Sequence, residues 1–255
     1  MTARLVGMVH LGPLPGSPRF SGGLDGVLER AVTDALALAE AGFDAVMVEN
    51  FGDAPFFADD VPKVTVAAVT RAVAVVRDAV QVPVGVNVLR NDALAALAVA
   101  AATGAAMIRV NVLAGTMATD QGTITGRSAE VGRMRAALAP GVAVLADVFV
   151  KHAVPPPGLT LADAARDTFE RGGADALVVT GRGTGSAAAA ADLAAVRAAV
   201  PTAPLYVGSG VTPATVRDLL DAADGVIVGT AIKAGGVTTA PVDPGRAAAL
   251  VAAAG

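Results

Sequence analysis

The chain predicts an α/β fold, a single (β/α)8 TIM barrel over residues 1–255, and three observations carry that expectation. Short apolar runs alternate with longer helix-like segments. Eight such units fit into the length with no linker between them, and barrels of this class commonly run to about 250 residues. The segments entering the even-numbered runs also resemble one another: Ala-Gly-Phe-Asp at 41–44, Thr-Gly-Ala-Ala at 103–106, Gly-Gly-Ala-Asp at 172–175 and Ala-Ala-Asp-Gly at 222–225. That echo fits a barrel made of repeated βαβα units.

The expected strands are residues 5–10, 45–50, 84–89, 107–112, 142–148, 176–180, 205–209 and 225–229. Each is short, rich in Val and Ile, and lacks the polar alternation of a half-exposed strand. Such runs read as parallel strands buried on both faces. Between them, residues 24–41, 64–80, 93–103, 129–139, 161–171, 188–200 and 213–220 have helical composition. In the last of these, Thr212-Pro213 supplies an N-cap followed by proline at the first helical position. A doubly wound open sheet is the competing arrangement. It normally carries a glycine-rich phosphate fingerprint after its first strand, and none follows His10.

Composition narrows the function classes. With 54% hydrophobic residues and a mean hydropathy of +0.60, a membrane protein has to be considered. A spanning helix needs about 18 or more apolar residues. The longest candidate, residues 93–108, is mostly alanine, is broken by Thr103 and Gly104, and runs into Arg109. No membrane span is expected, and the N-terminus lacks the pattern of a secretory signal, so a cytoplasmic location is the default. The absence of cysteine removes disulfides, thiol catalysis and zinc–thiolate sites. A net charge of -4, no tryptophan and 3% aromatics argue against a nucleic-acid binder. The Ala-rich surface of residues 93–102 permits a homo-oligomer through close helix approach.

In barrels of this kind the catalytic face lies at the carboxyl ends of the strands, and polar residues collect there. His10 ends the first run, Glu49 and Asn50 the second, and Asn87 lies in the third. Arg109 and Asn111 lie in the fourth, Asp147 near the end of the fifth with Lys151 and His152 beyond, and Thr180 and Gly181 end the sixth. Both histidines of the chain fall on this rim. Asn87 or Thr180 can equally serve loop backbone, and Lys151, near Pro155-Pro156-Pro157, can equally be a solvated loop residue. Arg109 shares parity with Met107 and Asn111, so all three face one side of their strand. If that side is the lumen, the guanidinium needs an anionic partner or ligand. Glu49, in parity with Ala45 and Met47, is the expected partner; a site in which both touch substrate is preferred over a structural ion pair.

Three connections are long: residues 11–23, stiffened by three prolines; residues 51–63, holding Phe51, Phe56 and Phe57; and residues 113–126. Loops of this length in a compact domain are commonly functional. At the other end of the chain, Gly208-Ser209-Gly210-Val211-Thr212-Pro213 follows strand seven and Gly229-Thr230-Ala231-Ile232-Lys233 follows strand eight. Glycines let backbone N–H groups approach an anion, and a following helix start adds a favourable dipole. A small phosphorylated ligand is therefore expected on Gly208, Ser209, Gly210, Gly229 and Thr230, with the sixth connection from Gly181 closing over it or contacting the same anion through Arg182.

These motifs resemble one family along nearly the whole chain, the BtpA/SgcQ family. The matching stretches include Gly7-Met8-Val9-His10-Leu11, Val48-Glu49-Asn50-Phe51-Gly52-Asp53-Ala54-Pro55-Phe56, and Gly85-Val86-Asn87-Val88-Leu89-Arg90-Asn91-Asp92. Ile108-Arg109-Val110-Asn111-Val112, Asp120-Gln121-Gly122, Asp147-Val148-Phe149-Val150-Lys151-His152 and Gly208-Ser209-Gly210-Val211 complete them. The resemblance implies a barrel of the aldolase or ribulose-phosphate-binding type. It implies less about activity: one branch is named for photosystem I accumulation, another for a sugar-utilisation gene cluster.

The residues themselves suggest an enzyme with a carboxylate and a histidine sharing acid–base work and Arg109 stabilising developing negative charge. No cofactor is required; Glu49, Asp147 and a histidine could alternatively hold a divalent metal. Lys151 as a Schiff-base nucleophile is disfavoured by its place several residues past the strand. The alternative class is a non-catalytic assembly factor, for which the chain offers no exposed apolar cluster beyond Phe51, Phe56 and Phe57.

Overall fold

The structure, a computed structural model, describes residues 3–181 and 190–255. Its strands are β1 (Leu5–His10), β2 (Ala45–Glu49), β3 (Val84–Asn87), β4 (Met107–Val110), β5 (Thr116–Thr119), β6 (Gly122–Thr125), β7 (Ala143–Val148), β8 (Ala153–Val154), β9 (Ala176–Val179), β10 (Leu205–Val207) and β11 (Gly225–Val228). Eight of them close into a parallel barrel in the order β1-β2-β3-β4-β7-β9-β10-β11 and back to β1. The helices are α1 (Leu24–Ala41), α2 (Lys63–Ala79), α3 (Ala93–Thr103), α4 (Ser128–Leu138), α5 (Leu161–Arg166), α6 (Ala190–Ala199), α7 (Val216–Ala222) and α8 (Pro244–Ala254). Among the described residues no helix is long and apolar enough to cross a membrane.

The continuous apolar runs have two destinations. Val6, Met8, Met47, Met107, Leu145, Val178, Tyr206 and Ile227 fill the lumen. Alternate residues such as Val9, Val48, Ile108, Val179 and Val207 pack outward into a larger core with the helices. Gly85 of β3 leaves the lumen its room, since a Cβ there would lie 2.5 Å from Met107 Cγ and 2.7 Å from Met47 Cε.

The echo before the even-numbered barrel strands has a structural cause. Asp44, Asp175 and Asp224 each donate their backbone N–H to the carbonyl of a residue at the start of the preceding strand: Leu5, Val144 and Leu205. Each Asp carboxylate then accepts the N–H of that same residue at 2.8 Å. The result is a two-bond clamp at the amino end of the barrel. At the fourth position Ala106 makes only the backbone half, to Val84. Gly42 and Gly104 stop α1 and α3 in the left-handed conformation, with φ of 101° and 72°.

Three departures from expectation matter. The connection 113–126 is not a plain loop: β5 and β6 form a hairpin, and β8 joins it as a three-stranded antiparallel sheet. The seventh helix begins at Val216 and not at Pro213, because Thr212 and Thr215 form a local turn through the Thr212 N–H to Thr215 Oγ1 bond of 3.1 Å. The fifth helix widens into a π-helical turn over Asp167–Arg171. The expected start of the sixth helix, residues 188–189, lies outside the described residues.

Candidate active site

The lumen alternation continues into a polar layer at the carboxyl end. His10, Glu49, Asn87, Arg109, Asn111 and Asp147 continue the alternation of the lumen-filling residues on their strands, and all six are buried. Arg109 is on the lumen side, as parity predicts, but it does not pair with Glu49. Its Nε and Nη2 donate to Asp147 Oδ1 and Oδ2 at 2.9 and 3.0 Å, and Asn111 Nδ2 donates to the same carboxylate at 3.3 Å. Strand order explains the correction. Asp147 lies on the neighbouring β7, whereas β3 separates Glu49 from β4. Asn87, directly across from Glu49 in the β2–β3 register, donates to Glu49 Oε2 at 2.7 Å. Burial alone would lower the Arg109 pKa, but the bidentate Asp147 outweighs it and the guanidinium stays charged, its pKa raised.

His10 stands opposite Glu49 in the β1–β2 register, with Nε2 3.6 Å from Glu49 Oε1. Its Nδ1 meets the Thr238 carbonyl at 3.1 Å, and its ring packs on Phe51 at a centroid distance of 4.7 Å. Burial, followed by the charge of Lys233, pushes the His10 pKa down to about 3. The neutral ring must therefore donate from Nδ1, because a carbonyl only accepts. Nε2 is left as a lone pair beside Glu49 Oε1: two acceptors facing the same space, an arrangement that suits a donor placed between them.

Lys151 sits in the turn after β7, between Phe149 at φ 54° and His152 at φ 59°. Both values are unusual for non-glycine residues. Its N–H donates to Thr180 Oγ1 at 3.1 Å and its carbonyl accepts Arg90 Nη2 at 2.5 Å. Burial, then the nearby Arg109 charge, lowers the Lys151 pKa. His152 is exposed.

Two cavities meet here. The first, about 270 Å³, is lined by His10, Gly208, Ser209, Gly210, Thr212, Gly229, Thr230 and Arg246 among others. The second, about 390 Å³, is lined by Phe56, Arg90, Arg109, Asn111, Gln121 and His152 among others. Glu49, Phe51 and Lys151 line both. Asn87, Asp147 and Gly181 stand behind these walls: Gly181 donates its N–H to Ser209 Oγ at 2.7 Å, bracing the sixth connection to the seventh. Gly208 has to be glycine, because a Cβ would lie 2.6 Å from Val178 Cγ1 and 3.0 Å from Arg109 Nη2. Arg182 lies outside the described residues.

The glycine loops differ from expectation in one respect. Regular helix resumes only at Val216 after β10, and β11 is followed by two short 3-10 turns, Thr230–Ile232 and Ala234–Gly236. Backbone N–H groups, not a helix dipole, are what these loops offer an anion. Lys233 of the same motif points away from the cavity. Its Nζ is buried 3.1 Å from Asp34 Oδ2 on α1, while Asp34 Oδ1 accepts the Val242 N–H at 2.7 Å. The proposed grouping of Glu49, Asp147 and a histidine does not assemble, since Asp147 is turned to Arg109; among the described residues no three of His, Asp and Glu are grouped to hold a metal.

A model of the BtpA family matches residues 1–255. The chain belongs to the BtpA family. The Photosystem I biogenesis protein BtpA of Synechocystis sp. is 46% identical over 249 residues, 98% of this chain and 87% of that protein. The sgc region protein SgcQ of Escherichia coli (strain K12) is 32% identical, covering 95% of this chain and 90% of its own. Among solved structures, Mycobacterium tuberculosis tryptophan synthase matches with a TM-score of 0.64 at 19% identity, covering 99% of this chain and 93% of that one. Phosphoribosyl anthranilate isomerase from Thermococcus kodakaraensis matches at 0.57 and 16%, covering 98% of each. At such identities the likeness establishes the barrel.

In this BtpA-family chain most of the long motifs turn out to be bracing. Asn50 Oδ1 accepts the Leu89 N–H at 2.7 Å, Asp53 Oδ1 the Leu14 N–H at 2.8 Å, Asn91 Oδ1 the Val112 N–H at 2.7 Å and Asp92 Oδ2 the Val61 N–H at 2.9 Å. These side chains lock the first two long connections to each other, and the segment after β3 to the second of them and to Val112 past the end of β4. Arg90, of the same motif, was not singled out by the strand-end pattern because it follows β3 by three residues. Its side chain is nonetheless buried in the wall of the second cavity.

Proposed function

We propose that this chain is an enzyme acting on a small phosphorylated metabolite. The observation that carries this is the joining of the two cavities through Glu49, Phe51 and Lys151. One cavity is walled by the glycine loops after β10 and β11, the other by charged and amide side chains. The Gly208 N–H is held by the Val179 carbonyl at 2.9 Å, so a phosphate on the N–H groups of Gly210, Gly229 and Thr230 leaves the rest of a small ligand to reach Glu49, Arg109 and Asn111. Glu49 and the His10 lone pair then move a proton at the reacting atom, and Arg109, fixed by Asp147, opposes negative charge that develops there.

A non-catalytic assembly role draws support from the name of the Synechocystis relative. It gives no use to six buried polar side chains at the end of the lumen, whose desolvation has to be offset by ligand or mutual bonds.

The test is a thermal-shift panel of inorganic phosphate, sugar phosphates and nucleotides on the wild type and on Gly210→Asp. Gly210 has φ 71°, a conformation Asp tolerates better than most residues, so the variant adds a negative charge with modest strain. Stabilisation of the wild type, lost in the variant, is expected. A wild type that no phosphorylated compound stabilises would end the proposal.

A further inference from the structure

We propose that Lys151 forms an imine with an aldehyde or ketone group of the phosphorylated ligand. This rests on the function proposed above and adds to it the reacting group and the substrate class, a phosphorylated carbonyl compound.

Sequence position argues against such a role, because Lys151 lies three residues beyond the end of β7. The fold reverses that judgement. The turn through Phe149 and His152 brings Lys151 back over the barrel mouth, where, among the described residues, it is one of three that line both cavities. Its backbone is fixed on both sides, through Thr180 Oγ1 and through Arg90. A solvated loop lysine has no need of such anchorage.

The amine is also uncommitted. Among the described residues no carboxylate lies within 4.0 Å of Nζ and no hydrogen bond is made to it; the residue's bonds are those of its backbone. The contrast with Lys233 is direct, since that fully buried amine is neutralised by Asp34 at 3.1 Å. The third lysine, Lys63, is exposed at the start of α2. Burial and the neighbouring guanidinium of Arg109 favour the unprotonated amine at Lys151, the form that is nucleophilic.

The step balances without any further reagent. The Nζ lone pair adds to the carbonyl carbon as the C–O π pair moves to oxygen. The two amine protons then pass to that oxygen, one giving the carbinolamine and the next expelling water as the C=N bond forms. Glu49, which shares both cavities, is placed to carry them one at a time.

Because the chain has only three lysines, borohydride trapping assigns the site cleanly. The protein is incubated with sodium borohydride and either dihydroxyacetone phosphate or glyceraldehyde 3-phosphate, and the reduced adduct is mapped by peptide mass. Glycerol 3-phosphate, which lacks the carbonyl, measures binding alone by thermal shift. A single adduct on Lys151 is expected, with labelling of the exposed Lys63 well below it. It should vanish in Lys151→Arg, whose melting temperature without ligand checks that it folds. No adduct, or labelling of Lys63 as heavily as Lys151, overturns the imine. If glycerol 3-phosphate still stabilises the wild type in that case, the phosphorylated-ligand reading survives; if neither it nor inorganic phosphate does, both fall.

Discussion

Removing Asp34 tests how the first cavity is held together. The segment after β11 supplies Gly229, Thr230, Gly236 and Thr238 to that cavity, and it is tied to α1 at three points. Lys233 Nζ lies 3.1 Å from Asp34 Oδ2, the Val242 N–H donates to Asp34 Oδ1 at 2.7 Å, and Arg30 Nη2 donates to the Thr239 carbonyl at 2.6 Å. The Lys233 and Asp34 side chains are 0% and 1% exposed. Asp34→Ala strands a buried ammonium and orphans the Val242 N–H. Breaking a buried pair from one side costs about 3–5 kcal/mol. At about 2–4 °C per kcal/mol for a chain of this size, melting should fall by roughly 6–20 °C. Lys233→Met should also destabilise, by leaving a buried carboxylate. The double variant, Asp34→Leu with Lys233→Met, leaves no buried charge and should recover most of the loss, giving a coupling energy well above about 1 kcal/mol. Urea denaturation of the four proteins closes the cycle, and inorganic phosphate binding should weaken in Asp34→Ala. Additive single effects, or an Asp34→Ala protein as stable as the wild type, would refute the assignment of a desolvated pair pinning this loop.

Two further outcomes follow from individual residues. His10 titrates near 6.5 unfolded but at about 3 folded, so between these values the unfolded chain holds a proton the folded one does not. Stability contributed by neutral His10 is therefore full above pH 6.5 and is lost as pH falls toward 3, by about 2 kcal/mol at pH 5. His10→Gln should flatten the stability profile by that amount, measured as the difference from wild type at pH 7.5 and pH 5; parallel profiles would show that His10 is not held neutral. Gly52→Ala places a Cβ 2.4 Å from Pro13 N and 2.5 Å from Gly12 C, both backbone atoms that cannot rotate aside. A loss of about 1–3 kcal/mol is expected, with weaker ligand stabilisation as Phe51 leaves His10; unchanged urea midpoints would count against the close approach.

Much of the barrel is legible in the chain because doubly buried parallel strands leave a direct trace: apolar runs without alternation. The even-strand echo is legible too, although its cause, the Asp44, Asp175 and Asp224 clamps, needs three dimensions. For the candidate site, parity correctly assigns Arg109 and Glu49 to the lumen, because period two is a local property. Parity says nothing about which strands are neighbours, so it misassigns Arg109's partner. Lys151 is harder still: left-handed backbone at Phe149 and His152 carries no glycine or asparagine to announce it. The β5–β6 hairpin could have been suspected from the β-branched residues of Thr116–Thr119 and Gly122–Thr125 around Asp120-Gln121, a pattern outweighed by the length of the connection.

The bond between His10 and the Thr238 carbonyl spans 228 residues of chain. Ring closure of β1 on β11, Leu5 against Val226, sets the same condition for the whole architecture. Synthesis as far as residue 200 supplies the reacting end but neither β10 and β11 nor either of the glycine loops that follow them. Until they emerge, β1 has an open edge, the kind of unpaired strand that invites misassociation. The pocket is thus assembled late, from segments far apart in sequence, and any event that delays β11 delays the joining of its two halves.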